Sequence, residues 1–304
     1  LVSSVGIAPS TGFTTVSENL GKVENKGFEI LASYTPWQSR DGFVRINGSI
    51  AYNKDKILKI SDAMRQFNEN QAALAAMEDQ ALPVAQYQDG LSMNTIFAVP
   101  SLGIDPAIGL EMYRKQDGSS TYIWRDTDRV PCGVSVPLYR GTVGITGEYK
   151  GIGISITGRY LGGGQMYNST LVNMVENADI SQNFDRRVLT ERWNHVGHHA
   201  FFKRYKSNTP YDLRNGIYWY SKDGWRQPPT QSTSRFVQDQ KEFDISSISV
   251  YYDFKREWIQ KIGLERLKLS FYMNDICKFS SIKVERGLDY PFARTMSFAL
   301  SATF

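Results

Sequence analysis

Aromatic and basic side chains gather in the stretch YDLRNGIYWYSKDGWRQPP, residues 211–229. Flat aromatic rings suit the apolar faces of sugars, and a guanidinium group can bind a carboxylate or the end of a peptide. We therefore take Tyr218, Trp219 and Trp225, together with Trp193, as candidate substrate contacts. The alternative is that these rings pack the loop, lie at a membrane interface or contact a partner.

The histidines are the second candidate for chemistry, because His195, His198 and His199 all lie within NHVGHHAFF. Their spacing could hold a metal ion, yet no cysteine or carboxylate joins them at a ligand spacing. We interpret them as a solvated loop cluster and predict no metal and no cofactor. Carboxylates are scattered and no glycine-rich phosphate loop precedes a helix, so the sequence does not predict an enzyme.

Two other candidate motifs give little chemistry. Cys132 and Cys277 lie far apart in the chain and show no metal or redox spacing. A bridge between them is conceivable, but Cys277 is more simply a buried or lipid-side small hydrophobe. The glycines of the run at 162–164 are interpreted as the end of a strand.

Composition narrows the class of protein. With 41% hydrophobic and 22% charged residues, the chain can bury a core, which excludes disorder. No run approaches the ~18 consecutive apolar residues of a membrane-spanning helix. The net charge of +4 is spread along the chain, so we expect no nucleic-acid partner. The opening LVSSVGIAPSTGF lacks the basic and apolar regions of a signal peptide, and we expect any export signal to lie upstream.

Alternation of apolar and polar residues is the main structural signal, and it is clearest in the terminal segment MSFALSATF. Successive strand side chains point to opposite faces, so this segment predicts a strand with one apolar and one small polar face. The same period recurs in residues 26–35, 42–52, 93–99, 141–149, 151–160, 244–254 and 265–275. It is weaker in 93–99 than in the others. We predict about eight to ten antiparallel strands.

The lengths of the connections separate a membrane barrel from a soluble sheet. Ser39–Gly42 and Lys150-Gly151 are short enough for tight turns. Residues 53–92 and 161–233 are far longer than the median connection of about 4–6 residues, and helices are expected within 62–79 and 181–193. Short turns on one side and long loops on the other are typical of an outer-membrane β-barrel.

Several stretches together resemble the SusC/RagA-type TonB-dependent transporters. The first is STGFTTVSENLGKVENKGFEILASY, in which Gly21, Asn25, Gly27, Phe28 and Glu29 match. The second is GIDPAIGLEMYRKQDG, with Gly103, Asp105, Pro106 and Gly109. VPLYRGTVGITGEYKGIGISI, SRFVQDQKEFDISSISVYYDF, LERLKLSFYMND and MSFALSATF follow in the family's order. Two departures, DISSIS and the NHVGHHAFF that follows Trp193, predict loops with different contacts or a different substrate.

The resemblance implies an all-β fold, in which residues 1–304 form the C-terminal portion of a transmembrane β-barrel of about 22 strands with long, partly helical extracellular loops. The plug domain and the N-terminal strands would lie outside this sequence. It further implies the outer membrane of a Gram-negative bacterium, uptake of a glycan or peptide oligomer, TonB acting through the N-terminal part, and a SusD-like surface lipoprotein as partner. The barrel would also contact the remaining strands, the plug, and lipid or lipopolysaccharide.

The last residue has a role by the same resemblance. A terminal aromatic on an alternating strand resembles the signal that the barrel-assembly machinery reads, which Phe304 would supply. Ordinary burial of a C-terminal residue is the alternative. For the whole chain, the alternatives are a smaller autotransporter or porin-like barrel, and a soluble or secreted β-sandwich adhesin or glycan-binding module.

Overall fold

The computed structural model describes residues 2–6, 15–19, 21–77, 81–179, 183–204, 230–283 and 295–304. It divides into two compact units, which are described separately. The loop unit comprises Leu1–Asn25, Asp55–Val136 and Gln165–Gln238. The sheet unit comprises Lys26–Lys54, Pro137–Gly164 and Asp239–Phe304.

The fold is all-β, as predicted. The strands of the described residues are β1 Val2–Gly6, β2 Thr15–Asn19, β3 Gly21–Gln38, β4 Gly42–Ile60, β5 Thr95–Ala98, β6 Ser101–Ile104, β7 Glu111–Arg114, β8 Ser120–Thr121, β9 Val130–Val134, β10 Tyr139–Tyr149, β11 Ile152–Tyr167, β12 Val237–Asp253, β13 Arg266–Ser280 and β14 Thr295–Thr303. All eight segments predicted as strands from their alternation lie within or overlap one of them.

Helical segments are short and lie between the strands. They are α1 Asp62–Ala75, α2 Ser169–Leu171, α3 Arg187–Thr190 and α4 Arg256–Ile259, with a π-helical turn at Val172–Glu176 and 3₁₀ turns at Asp126–Asp128, Ser234–Phe236 and Gln260–Ile262. Both helices expected in the long connections are present as α1 and α3. No helix among the described residues has the length and apolar character needed to cross a membrane.

One seven-stranded sheet dominates, in the order β14-β13-β12-β11-β10-β4-β3. Its sequence neighbours are mostly spatial neighbours, joined as antiparallel pairs such as β10 with β11 and β13 with β14. The strands β3 and β14 form its two edges. Smaller sheets pair β1 with β2, β5 with β9, and β6 with β7 and β8.

The register of the large sheet aligns the apolar positions of neighbouring strands. Leu269 lies opposite Leu300 on β14 and opposite Tyr252 on β12. In the other half of the sheet, among β4, β10 and β11, Ile145 lies opposite both Ile46 and Ile156. Because side chains alternate between faces, this register puts one apolar row beside the next across the sheet unit.

A register shift between Ile245 and Ser247 interrupts the pairing of β12 with β13. Ile245 pairs with Cys277 and Ser247 pairs with Asn274, so the single residue Ser246 of β12 lies opposite two residues of β13, Asp275 and Ile276. The extra residue of this β-bulge therefore belongs to β13, where Asp275 has a positive φ of 51°. Beyond the bulge the pairing resumes with Ile248 opposite Met273.

Both predicted tight turns are present. The Ser39 amide donates to the Gly42 carbonyl at 2.7 Å where β3 meets β4. Between β10 and β11, Lys150 and Gly151 have φ angles of 51° and 87°, the left-handed conformation that a two-residue type I′ hairpin turn requires at both positions.

Several strands extend well beyond the segments that alternation predicted, among them β3, β4, β11, β12 and β13. β4 continues eight residues past Tyr52 to Ile60 and stays beside β3, where Gly21 lies next to the Lys59 carbonyl. In this extension Ile57 also exchanges backbone hydrogen bonds with Gly90 and Leu91, both at 2.8 Å. β11 continues to Tyr167, so the interpretation of the glycine run at 162–164 as a strand end was wrong. Gly162 still pairs with Tyr139, and only beyond it does Gly163 adopt a positive φ.

The loop unit has its own core. It is a cluster of buried apolar side chains contributed by Leu171, Val172, Val175, Ala178, Val188, Phe202 and Phe236. The helix α1 begins at an N-cap, Ser61, whose hydroxyl accepts from the Met64 amide. Asn68 on α1 then bonds both the amide and the carbonyl of Tyr87, at 2.9 and 2.7 Å, which fixes the helix against the segment that follows it.

A tyrosine bridges three strands on the polar side of the sheet unit. The Tyr251 side chain of β12 reaches across Gly153 of β11 to donate to Glu148 of β10. The Lys268 ammonium lies 3.7 Å from the centre of its ring. Position 153 must lack a side chain, since a Cβ there would come within 2.1 Å of the Tyr251 ring.

We expect Gly153→Ala to destabilise the sheet, because Tyr251 is held at both its hydroxyl and its ring and cannot move aside. An overpacked side chain of this kind typically costs about 1–3 kcal/mol. The measurement is the free energy of unfolding of the full-length protein in urea. Gly147→Ala is the matched control, since its Cβ would meet its nearest neighbour at an ordinary 3.5 Å. Equal effects of the two substitutions would contradict the bridge.

Candidate functional site

The polar face of the sheet unit is built from small and charged side chains. Its hydroxyl groups bond across strands, as the Ser49 and Thr142 pair does at 2.8 Å and the Thr146 and Ser155 pair at 3.1 Å. These residues lie opposite each other in the register, on the same side as Arg45. The alternation that makes one face apolar therefore makes the other a hydrogen-bonding surface.

A groove opens in the sheet unit with a volume of about 510 Å³. Its floor carries small residues, among them Ser49, Ala51, Gly141 and Thr142. Charged residues of both signs line it, namely Glu29, Arg140, Arg159, Glu242 and Asp244. Such a volume lies within the range of about 300–1,000 Å³ that small-ligand sites occupy.

Several of the charged groups in the groove are already paired. Arg159 donates to Asp244 at 3.1 Å and lies 3.9 Å from Asp275. Glu242 pairs with Lys278 at 2.7 Å. By contrast, neither Arg140 nor Glu29 forms an ion pair within the part of the chain that the structure describes. Arg140 and Glu29 therefore remain available as one positive and one negative group for binding a ligand.

A buried ion-pair network lies in the loop unit, and we call Glu111, Glu176 and Arg235 the Arg235 network. The Arg235 guanidinium donates two hydrogen bonds to Glu111, at 2.7 and 3.0 Å, and one to Glu176 at 2.7 Å. Side-chain exposures are 5% for Arg235, 1% for Glu111 and 0% for Glu176. Three charges removed from water in this way require close pairing.

Neighbouring groups add hydrogen bonds to the network, although Glu176 Oε2 has no hydrogen-bond partner among the described residues. The Thr230 hydroxyl donates to Glu176 at 3.0 Å, and the Tyr113 hydroxyl donates to Glu111 at 3.3 Å. The Arg235 guanidinium also lies 4.4 Å from the centre of the Phe236 ring. The network thus connects β7, the π-helical turn and the 3₁₀ turn that precedes β12.

The electrostatics of the network follow from burial and pairing. Burial alone would raise the pKa of Glu111, but the adjacent Arg235 guanidinium outweighs it and holds this pKa below its usual value. Burial and the Glu111 charge raise the pKa of the Tyr113 phenol well above its usual value. At neutral pH the network therefore contains ionised Glu111 and a neutral phenol.

A second arginine fixes the same π-helical turn. Arg192, buried, donates to the carbonyls of Val175 and Glu176 at 2.5 and 3.0 Å and to that of Lys203 at 2.9 Å. The carbonyls of Val175 and Glu176 lie at the C-terminal end of the turn, where a cation is favoured. None of the charged residues of these contacts was predicted as a functional residue.

The motif GIDPAIG forms a folded loop, and Trp193 belongs to it. The Asp105 carboxylate accepts from the Ala107 amide at 2.8 Å and from the Tyr122 hydroxyl at 2.5 Å, and these bonds lower its pKa. The Trp193 indole donates to the Pro106 carbonyl at 2.8 Å. Its ring covers Gly109, where a Cβ would come within 2.4 Å of it. Trp193 packs a loop, which is the alternative we gave for the aromatic candidates.

The other predicted site residues have different outcomes. Tyr218, Trp219 and Trp225 lie outside the described residues, so their role as substrate contacts stays a prediction. His195 and His198 stack with ring centres 5.2 Å apart. No group of three potential metal ligands occurs among the described residues. Cys132 and Cys277 are both free thiols.

Phe304 follows β14 and is 88% exposed. It is continuous with the apolar row of the terminal strand, where Phe298 and Leu300 are 77% and 69% exposed. Phe298 packs against Phe271 of β13, with ring centres 5.0 Å apart. Burial of Phe304 within the described part of the chain, the alternative stated above, is therefore excluded.

Comparison with solved structures relates this fold to known transporters. The chain is similar to one in "Structure of the RagAB peptide transporter", with a TM-score of 0.65 and 14% identity over 91% of this chain and 28% of that one. For the RagAB peptide importer in the open-open state, the TM-score is 0.68 at 13% identity, over 93% and 28% of the two chains. For the importer in the closed-closed state, the TM-score is 0.67 at 14% identity, over 93% of this chain and 29% of that one.

At this identity the similarity shows the fold alone. The chain spans under a third of the length of those chains. No family model matches the sequence, and no curated protein matches it.

We expect Arg235→Leu to loosen the loop unit at neutral pH, because it leaves Glu111 and Glu176 buried without their counter-charge. Breaking a buried pair costs about 3–5 kcal/mol. Hydrogen exchange of residues 169–176 in the full-length protein should accelerate by about two orders of magnitude or more. The control is Arg65→Leu, whose exposed partner Asp62 contributes roughly 0.5 kcal/mol or less.

The same variant should show a defined pH dependence. The pKa of Glu111 is lowered by folding, so its stabilising contribution is present above the unfolded value of about 4.3 and is lost as the pH falls through the folded value. The difference in hydrogen-exchange rate between wild type and Arg235→Leu should therefore shrink below about pH 4. If this difference does not change with pH, the stabilisation by Arg235 is not ionic.

Proposed function

We propose that this chain forms part of the wall of an outer-membrane transporter of the SusC/RagA type, which imports an oligomeric nutrient. The observation that carries the proposal is the exposed apolar face of the sheet unit. Large side chains on this face remain open, among them Ile152 at 58%, Ile145 at 49% and Leu269 at 45%. Each such side chain gains about 1.5–3 kcal/mol on leaving water.

The length of the strands supports a lipid contact for that face. β11, β12 and β13 contain 16, 17 and 15 residues. Strands of water-soluble proteins usually have about 3–10 residues, and a tilted strand crosses a bilayer with about 9–11. The strands are therefore long enough to cross the hydrocarbon and continue beyond it. A second sheet packed over the same face would instead make a soluble sandwich, the alternative class.

The two edge strands of the sheet have backbone groups that need further pairing. An edge strand presents unpaired amide and carbonyl groups, and in lipid each of these costs several kcal/mol. The edges β3 and β14 therefore need further strands as partners. We infer that the seven strands of this sheet belong to a closed barrel of about 22 strands, with a plug domain in the same polypeptide.

The similar solved structures extend the proposal to substrate and partners. The similar structures are those of a peptide transporter, and we infer that a peptide oligomer is a more suitable substrate for this chain than a glycan. By the same reasoning, TonB would energise uptake and a SusD-like lipoprotein would bind the extracellular loops. The chain would act without catalysis.

Site-directed spin labels test the lipid contact in the full-length protein. In a variant with Cys132→Ser and Cys277→Ala, labels would be attached at Phe271→Cys and, separately, at its neighbour Tyr272→Cys. After reconstitution into liposomes, we expect the label at 271 to collide with oxygen dissolved in the bilayer and the label at 272 to collide with a water-soluble nickel chelate. A protein that stays monodisperse without detergent, with the label at 271 immobile in a dry core, would be a soluble sandwich.

Deletion of Phe304 tests the assembly signal. We expect the deletion to lower the amount of full-length protein in the outer membrane several-fold, because a terminal aromatic is the feature proposed to be read during insertion. Membrane fractions and resistance to SDS at room temperature are the measurements. Phe304→Tyr keeps the aromatic ring and should restore the level. Unchanged amounts after the deletion would contradict this role.

A further inference from the structure

We propose that the groove of the sheet unit is a binding site for short peptides, in which Arg140 binds a substrate carboxylate. The inference rests on the proposed transport function and assigns one subsite within it. Trp193, the one substrate candidate from the sequence that lies among the described residues, does not line the groove.

The first step is the choice of Arg140 among the charged residues of the groove. Arg159 already bonds Asp244, and binding of a ligand there would have to replace that pair. Arg140 is exposed, lies on the same face two residues from Thr142, and has no ion-pair partner among the described residues. A guanidinium group presents a planar pair of donors that matches a carboxylate, and such bidentate pairs are the strong ones.

The second step concerns the class of ligand. The groove also carries Glu29, which has no ion-pair partner among the described residues either. A peptide brings both an ammonium and a carboxylate group, so it complements a site of mixed charge. A neutral glycan complements neither charge, and an acidic glycan would be repelled by Glu29.

The third step is the shape of the floor. Thr142, Ser49 and Ala51 come from adjacent strands and carry short side chains, so a ligand backbone can approach the sheet. The hydroxyls of Ser49 and Thr142 bond each other, and the Thr142 amide donates to the Ser49 hydroxyl at 3.0 Å. These bonds keep the surface in place. Pre-organised polar groups reduce the ordering cost of binding.

The test uses the full-length protein in detergent and a pooled library of random tetrapeptides with free ends. A second library is the same pool made as C-terminal amides. Both are passed over immobilised protein, and the bound peptides are quantified by mass spectrometry. For wild type we expect about tenfold stronger retention of the free-acid library, because a hydrogen bond between two charged groups is stronger than one to a neutral amide. For Arg140→Ala we expect the two libraries to be retained equally.

Arg45→Ala is the matched control, since Arg45 lies on the same polar face but does not line the groove. It should retain the preference of the wild type. Arg140→Lys should keep part of it, because an ammonium group cannot bind in a bidentate manner.

Two outcomes would overturn the proposal at different levels. If wild type and Arg140→Ala discriminate the libraries equally, the groove is not the carboxylate site, while peptide transport stands. If wild type retains neither library but binds an oligogalacturonate pool, the assignment of peptides fails together with the groove. The spin-label experiment decides separately whether the chain lies in a membrane at all.

Discussion

The alternation of side chains, kept in register across seven strands, is the constraint on which the sheet unit depends. A slip of one residue anywhere would move a whole row of apolar side chains to the polar face. Turns, bulge and glycines all serve this register. The left-handed Lys150-Gly151 turn fixes the β10 and β11 pairing. Opposite DISSIS, a bulge in β13 takes up one extra residue, and the pairing of β12 with β13 continues on both sides of it.

The loop unit depends on a different kind of interaction. Its core is a small apolar cluster, and the segments that reach it are long connections with little regular structure. Charged hydrogen bonds in a low-dielectric site give such segments directional constraints that apolar packing alone does not provide. The Arg235 network bonds β7 to the π-helical turn, and Arg192 holds the end of the same turn. The arrangement of the loops is therefore set by a few buried ionic contacts.

Sequence reasoning predicted the sheet well because alternation is a local property. The strands, both tight turns and both helices could be read from neighbouring residues. The extension of β4 to Ile60 could not, because residues 53–60 do not alternate, and Ile57 bonds there to Gly90 and Leu91, which are distant in the chain. The Arg235 network was missed because Glu111, Glu176 and Arg235 are brought together only by folding. Trp193 packs against Gly109, a contact that its sequence position did not indicate, and its role as a substrate contact stays a prediction.

The two faces of the sheet unit together favour a membrane wall over a soluble sandwich. In a sandwich the inner face is covered, and the outer face needs only to be polar. Here the apolar face is the open one, while the polar face carries the bridge from Tyr251 to Glu148 and the pair of Arg159 with Asp244. If water contacted the apolar face, its exposed isoleucine and phenylalanine side chains would be unfavourable there. The ion pairs and hydrogen-bonded hydroxyls lie instead on the polar face. The proposed wall, with lipid on one side and water on the other, would account for both faces, and the groove around Arg140 lies on the polar one.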